Sequence, residues 1–170
     1  MPYGRGMSTI ITQKIAPCLW FGDNAEEAAR FYVSVFPDSR IVHVQRFGQT
    51  GPGPEGSVLL VQFEIGGQQF TTLNGCGTPG VVFNESVSFM VLCDTQEEID
   101  RYWERLTADG GEPIACSWLK DKYGVRWQIV PRRFFELVQG GDMARTDRVM
   151  RAMMQMVKME IAPLEAAARG

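Results

Sequence analysis

Two segments of this chain match at a constant offset of 71 positions, and that repeat constrains the fold more than any other feature. Asn24-Ala25-Glu26-Glu27-Ala28 is followed by Phe31-Tyr32 and Val35. Thr95-Gln96-Glu97-Glu98-Ile99 is followed by Tyr102-Trp103 and Leu106. In each, a cap-forming residue stands three positions before a glutamate, the pattern in which two side chains satisfy free helix-start amides reciprocally. Apolar residues at helical spacing follow. A repeat of this length predicts two copies of one supersecondary unit packed together, with a groove between them as the natural place for a ligand.

Around the first helix, Asn24 to Phe36, the pattern predicts strands at Lys14 to Phe21, Ser39 to Phe47, Ser57 to Ile65 and Gln68 to Asn74. β-branched residues mark them as strands, and Gly66-Gly67 supplies a hairpin turn. Gly48 to Gly56, rich in Gly and Pro, reads as a loop and the most mobile element. The first unit, residues 10–80 with its linker Gly75 to Pro79, is therefore β-α-β-β-β. The second, residues 81–135, repeats the plan in less chain, with strands at Ser86 to Cys93, Glu112 to Leu119 and Gly124 to Val130 around the helix Thr95 to Ala108. It has one strand fewer or a very short one. Residues 1–9 read as a disordered tail and 136–170 as a helical extension. There, Val149, Met150, Met153, Met154, Met156, Val157 and Ile161 form one helical stripe suited to core or dimer packing, broken at Pro163.

Strand alternation assigns side chains to faces. Leu59, Val61, Phe63 and Ile65 must pack under a helix. The mixed face holds Cys18, Trp20, Gln62, Glu64, Thr72, Asn74, Ser88, Met90, Trp118, Arg126 and Gln128. Aromatic and thiol surface with a few amides and a carboxylate is the usual makeup of a small-molecule pocket, although a wet polar sheet face would look the same. Trp20 and Trp118 are expected at the cavity, Trp127 and Trp103 under the helices. Glu64 is the one weak catalytic candidate, as a general base if buried. Cys18 and Cys116 lack an activating histidine, since His43 is the only one.

A net charge of −3 argues against nucleic acid, which needs a concentrated basic surface; Arg126, Arg132 and Arg133 read as solvated charge. No stretch approaches the roughly 18 apolar residues of a membrane span. Four cysteines without a Cys-x-x-Cys pair read as buried thiols in a reducing compartment, so the chain is placed in the cytoplasm. An open sheet edge and an exposed apolar face in each β-α-β-β-β unit predict a homodimer, the units pairing within one chain or swapping across a two-fold axis.

The run Leu19-Trp20-Phe21-Gly22-Asp23-Asn24-Ala25-Glu26-Glu27-Ala28 with Phe31-Tyr32 resembles the opening of PhnB-like proteins. So do Leu73-Asn74-Gly75, Phe83-Asn84, Thr95 to Asp100 with Trp103, and Trp118 to Gly124 running into Trp127 to Pro131. These proteins carry the label 3-demethylubiquinone 3-methyltransferase-like domain. They belong to the glyoxalase/bleomycin-resistance/dioxygenase, or vicinal oxygen chelate, superfamily. The resemblance implies an α+β fold of paired βαβββ modules curled around a pocket, here with a C-terminal helix, usually as a homodimer. Superfamily enzymes hold a divalent metal through His, Glu or Gln from four strands. Carried onto this sequence, those positions fall near Ala16, Asn74, Ser86 and Gln128, a set unsuited to metal. A small-molecule binding protein with no metal and no cofactor is the expected function. The alternative is a lyase, isomerase or oxygenase-type enzyme with an atypical site using Glu64, Asn74 and Gln128. Methyl transfer ranks last, because the glycines lack a strand–loop–helix context.

Overall fold

In the computed structural model, residues 12–75 and 82–170 are described. The predicted tail at 1–9 and most of the Gly75–Pro79 linker lie outside them. The chain divides into two compact units, residues 1–81 and 82–170.

The first unit runs β1 (Cys18–Phe21), α1 (Ala25–Val35), β2 (Arg40–Arg46), β3 (Val58–Ile65) and β4 (Gln68–Asn74). Its sheet has the order β1-β4-β3-β2. Helix α1 buries Ala25, Ala28, Ala29, Tyr32 and Val35, and Tyr32 stacks on Phe63, which stacks in turn on Phe70. The β-branched and aromatic run of β3 faces this helix through Val61, Phe63 and Ile65, all buried. Strand β1 is shorter than predicted because Pro17 has no N–H to give a ladder. The chain before it is instead tied down by Gln69, whose Oε1 accepts from the amides of Thr12 and Gln13. The Gly- and Pro-rich loop wraps the ring of buried Phe47. A Cβ on Gly53 would lie 2.4 Å from that ring, so only glycine permits the close approach.

The second unit runs β5 (Phe89–Cys93), α2 (Gln96–Thr107), β6 (Glu112–Pro113), β7 (Trp118–Lys120) and β8 (Arg126–Pro131), with the sheet order β5-β8-β7-β6. Element for element this repeats the first sheet, and the expected very short strand is β6, of two residues. The strand predicted over Glu112 to Leu119 is broken in two. Cys116 and Ser117 both take positive φ, at 51° and 64°, a conformation costly for residues with a Cβ. Their amides are turned out of the sheet and donate to the carbonyls of Met156 and Val157, while Ser117 Oγ accepts from the Met159 amide. Docking of the C-terminal chain thus holds the break open.

Three helices complete this unit: α3 (Arg132–Val138), α4 (Met143–Met153) and α5 (Ile161–Arg169). They share a core of Leu137, Val149, Met159 and Leu164 with Val130 of β8. The single helix expected through Ile161 is therefore two. Residues 154–160 leave the helix to bond the β6–β7 link, and Pro163 sits in the first turn of α5, where its missing N–H costs nothing.

Helix α2 buries Ile99, Tyr102 and Leu106. Trp103, expected beneath the helix as the counterpart of Tyr32, is only half-buried, and Tyr102 fills that role. No helix among the described residues is long and apolar enough to cross a membrane.

Candidate functional site: the helix-free sheet faces

In each unit one sheet face lies under α1 or α2 and the other is free of that helix; on the second sheet the free face ends at Val130, which packs against the C-terminal helices. Register groups the helix-free side chains of the first sheet into three cross-strand rows. Trp20, Leu73 and Leu60 form an apolar row that ends on β2 at Gln45. Cys18, Thr71, Gln62 and His43 form a polar one. Gln69, Glu64 and Arg40 form a charged one. Trp20 is 42% exposed, and its indole lies over Gly75, where a Cβ would fall 2.1 Å from Nε1.

On the second sheet, Met90, Gln128 and Trp118 form one row and Arg126, Lys120 and Glu112 the next. Gln128 Nε2 donates to Ser88 Oγ at 2.8 Å, which orients the amide. Met90 is 47% exposed, and Trp118 half-buried. Trp127 lies on the opposite face, buried, tilted against Phe89 and donating its Nε1–H to Asp121 Oδ2 at 2.8 Å. Asp121 is buried too. Its other oxygen accepts the amides of Tyr123 and Val125, so the carboxylate closes the β7–β8 turn and fixes the phase of β8.

Two sequence-derived pocket assignments are corrected. Thr72 and Asn74 face α1, not the helix-free side. Thr72 is fully buried and donates to the Ala25 carbonyl. Asn74 accepts from the Ala25 amide at 2.9 Å and donates to the Val58 carbonyl at 3.0 Å, so both ends of its amide are used. The two-residue turn Gly66-Gly67 pairs Ile65 with Gln68 and Phe63 with Phe70, which puts Phe70, Thr72 and Asn74 on the core side with Phe63. Asn74 instead lines a cavity of about 540 Å³ at the start of α1, with Asp23, Glu27, Phe47 and Pro54. A second cavity, of about 510 Å³, lies in the other unit between the start of α2 and that of α5.

The catalytic and metal candidates fare no better geometrically. Glu64 pairs with Arg40 at 3.2 Å on the open face, without the apolar burial a general base would need. Glu64 and Asn74 point to opposite sides of one sheet, so they do not share a metal. His43 is exposed and within 3.3 Å of Gln45 Oε1. Ala16 offers no donor and Ser86 stands exposed ahead of β5. The residues at the four superfamily metal positions do not fit a divalent ion. Among the described residues, no group of three or more His, Cys, Asp or Glu side chains could hold one.

The Gly-rich loop between β2 and β3 joins antiparallel strands, the wrong context for a nucleoside-binding strand–loop–helix turn. Lys120, Glu85, Thr71 and Leu73 were missed by sequence reasoning. Lys120 stands two residues after Trp118, so alternation alone would have found it.

Residues 13–130 match the family model described as 3-demethylubiquinone-9 3-methyltransferase. Among solved structures, the chain is similar to a putative 3-demethylubiquinone-9 3-methyltransferase, PhnB protein, from Bacillus cereus. The identity is 38% and the TM-score 0.61, over 70% of this chain and 99% of that one. It shares a fold with protein PA1353 from Pseudomonas aeruginosa, at 19% identity and TM-score 0.57, over 71% of this chain and 98% of that one. No curated protein matches it. The βαβββ repeat, the strand order common to both sheets and this identity over most of the chain point the same way: the chain belongs to the PhnB-like, 3-demethylubiquinone-9 3-methyltransferase family.

Proposed function

We propose that this protein binds a small molecule on a helix-free sheet face, and does so without a resident metal. The observation that carries the reading is the row Met90, Gln128 and Trp118 with Ser88 beside it. An amide held in one orientation is flanked by the exposed Met90 and the half-buried Trp118, a combination that gives a ligand both burial and direction. The wet-face alternative does not account for apolar side chains left in water on a sheet whose core is otherwise well covered. Free thiols at Cys18, Cys93 and Cys116 support a reducing, cytoplasmic setting. We also propose a homodimer, because each sheet ends in edge strands that a partner would cover. Light scattering that found only monomer at micromolar concentration would remove that part.

A thermal-shift screen with aromatic and aliphatic metabolites tests the binding reading. The expected result is stabilisation by at least one compound, lost in Gln128→Ala. Binding that survives Gln128→Ala and Trp118→Ala together, or no stabilisation by any compound, would defeat it.

A further inference from the structure

Lys120 and Arg126 are register partners on the helix-free face of the second sheet, so two cations stand side by side. Arg126 is well covered, with a side chain only 13% exposed. Its Nε and Nη2 reach the same oxygen of Glu85, at 2.9 and 2.6 Å, and Nη1 donates to the Gly124 carbonyl. Lys120 pairs with Glu112 at 2.9 Å. The acids are on the outside: Glu85 is 62% and Glu112 66% exposed. The hydrogen bond from Arg126 holds the Glu85 carboxyl below its usual range, and the Lys120 charge adds to this, so both cations act on one carboxylate. Glu85 belongs to the segment before β5, outside the sheet that carries the cations.

This arrangement can be exchanged. A carboxylate so open to water gains little from its ion pair, because solvent competes for both partners. The covered guanidinium keeps its geometry whichever carboxylate it meets, since the Gly124 carbonyl and the strand hold it. The next row, Met90, Gln128 and Trp118, offers apolar surface within one strand step. The charges also count out. Lys120 and Arg126 supply two positive charges and Glu112 cancels one, so removal of Glu85 leaves a demand for one negative charge. A monocarboxylate meets it, and a dianion would exceed it.

We infer that the ligand of this face is a small amphiphilic monocarboxylate, whose anionic group takes the place of Glu85 against Arg126 and Lys120 while its apolar part lies along Met90 and Trp118. The inference rests on the small-molecule reading above and names the ligand chemistry of that site. Glu85 is then an internal competitor that keeps the cations neutralised until a ligand arrives.

The test is calorimetric titration of the full chain at low salt with 2-naphthoate and with its neutral isostere 2-naphthamide. Naphthoate is expected to bind at least about tenfold more tightly than the amide, the scale of one charge-assisted hydrogen bond. Glu85→Gln removes the competitor, and should tighten naphthoate binding about threefold or more while leaving the amide unchanged. Lys120→Met should weaken naphthoate alone, an independent check that leaves the Arg126 contacts in place. Equal binding of the two probes, or naphthoate affinity indifferent to both substitutions, would overturn the inference and leave the small-molecule reading standing. So would failure of both probes while another compound stabilises the protein in the screen. No binding by any compound would sink both.

Discussion

The two sheets share one strand order, and their helices start at matching sequence positions, yet the starts are satisfied by different groups. In α2 the expected local solution forms. Thr95 accepts from the Glu98 amide, and the Glu98 carboxylate reaches back to the Asp94 amide. In α1 Asn24 caps nothing with its side chain. The Ala25 amide is taken instead by Asn74, from the far end of β4. One motif thus has a local outcome in one unit and a long-range outcome in the other. An N–H left without an intrahelical partner at a helix start donates to whichever acceptor is held in place at least entropic cost. In the first unit a strand end supplies a rigid one. In the second, the helix-side residue at the end of β8 is Pro131, paired with Cys93, and its side chain has no acceptor to offer.

The largest effects should come from the aromatic anchors of the two cores. Phe63→Ala and Trp127→Ala should each cost about 3–5 kcal/mol in denaturant unfolding, as for other buried aromatics. The comparison sharpens at α2, where Tyr102→Ala should cost more than Trp103→Ala. The reverse order would restore the Tyr32–Trp103 equivalence that the sequence offset suggests and the burial denies.

Smaller effects separate the caps. Asn74→Ala should cost about 2 kcal/mol, because it strands the Ala25 amide and the Val58 carbonyl together. Thr95→Ala should cost about 1 kcal/mol. Asn24→Ala should stay within about 0.5 kcal/mol, because the partly buried Asn24 makes no cap bond with its side chain. If Asn24→Ala proved as costly as Thr95→Ala, the two helix starts would be alike and the contrast would be lost.

The smallest effect is seen only at alkaline pH and compares two thiols. Cys93, buried at the end of β5, has its thiol pushed up to about 12, chiefly by burial and secondarily by the Glu98 carboxylate. Burial also raises Cys18, but that residue is exposed on the open face. For Cys93 the folded value lies above the unfolded one. Its contribution to stability is therefore complete below the unfolded value of about 9 and lost as pH rises through the folded value. Alkylation of the native protein at pH 8.5, read by mass spectrometry, should modify Cys18 and spare Cys93. Early modification of Cys93 would mean that β5 opens readily.

Much of the fold could be read from the chain because its determinants are local. The hairpin at Gly66-Gly67, the apolar run of β3 and the helix starts each follow from a few adjacent residues. The faces of β1, β5 and β8 followed from alternation, which placed Trp20 and Trp127 on opposite sides as found. Strand β4 runs against its polarity: Thr72 and Asn74 read as outward-facing residues, yet both face α1. The turn length, which ties Phe70 to Phe63, was the stronger constraint, and a threonine can be buried once its hydroxyl finds a carbonyl.

The break at Cys116-Ser117 and the split of the last helix were not legible in any single segment. Each depends on the other: the positive-φ residues are stable only because residues 156–159 bond to them, and residues 154–160 leave the helix only because those donors await them. The same holds for Glu85 and the Arg126–Lys120 pair, about 40 positions apart for the first two. Periodicity and turn chemistry act over a few residues, and the sequence by itself determined what they control: strands, helices, the repeat and the family. Only the tertiary structure decided which distant carbonyl, amide or carboxylate answers each buried or charged group, because that choice depends on which groups the packed sheets bring within hydrogen-bond reach.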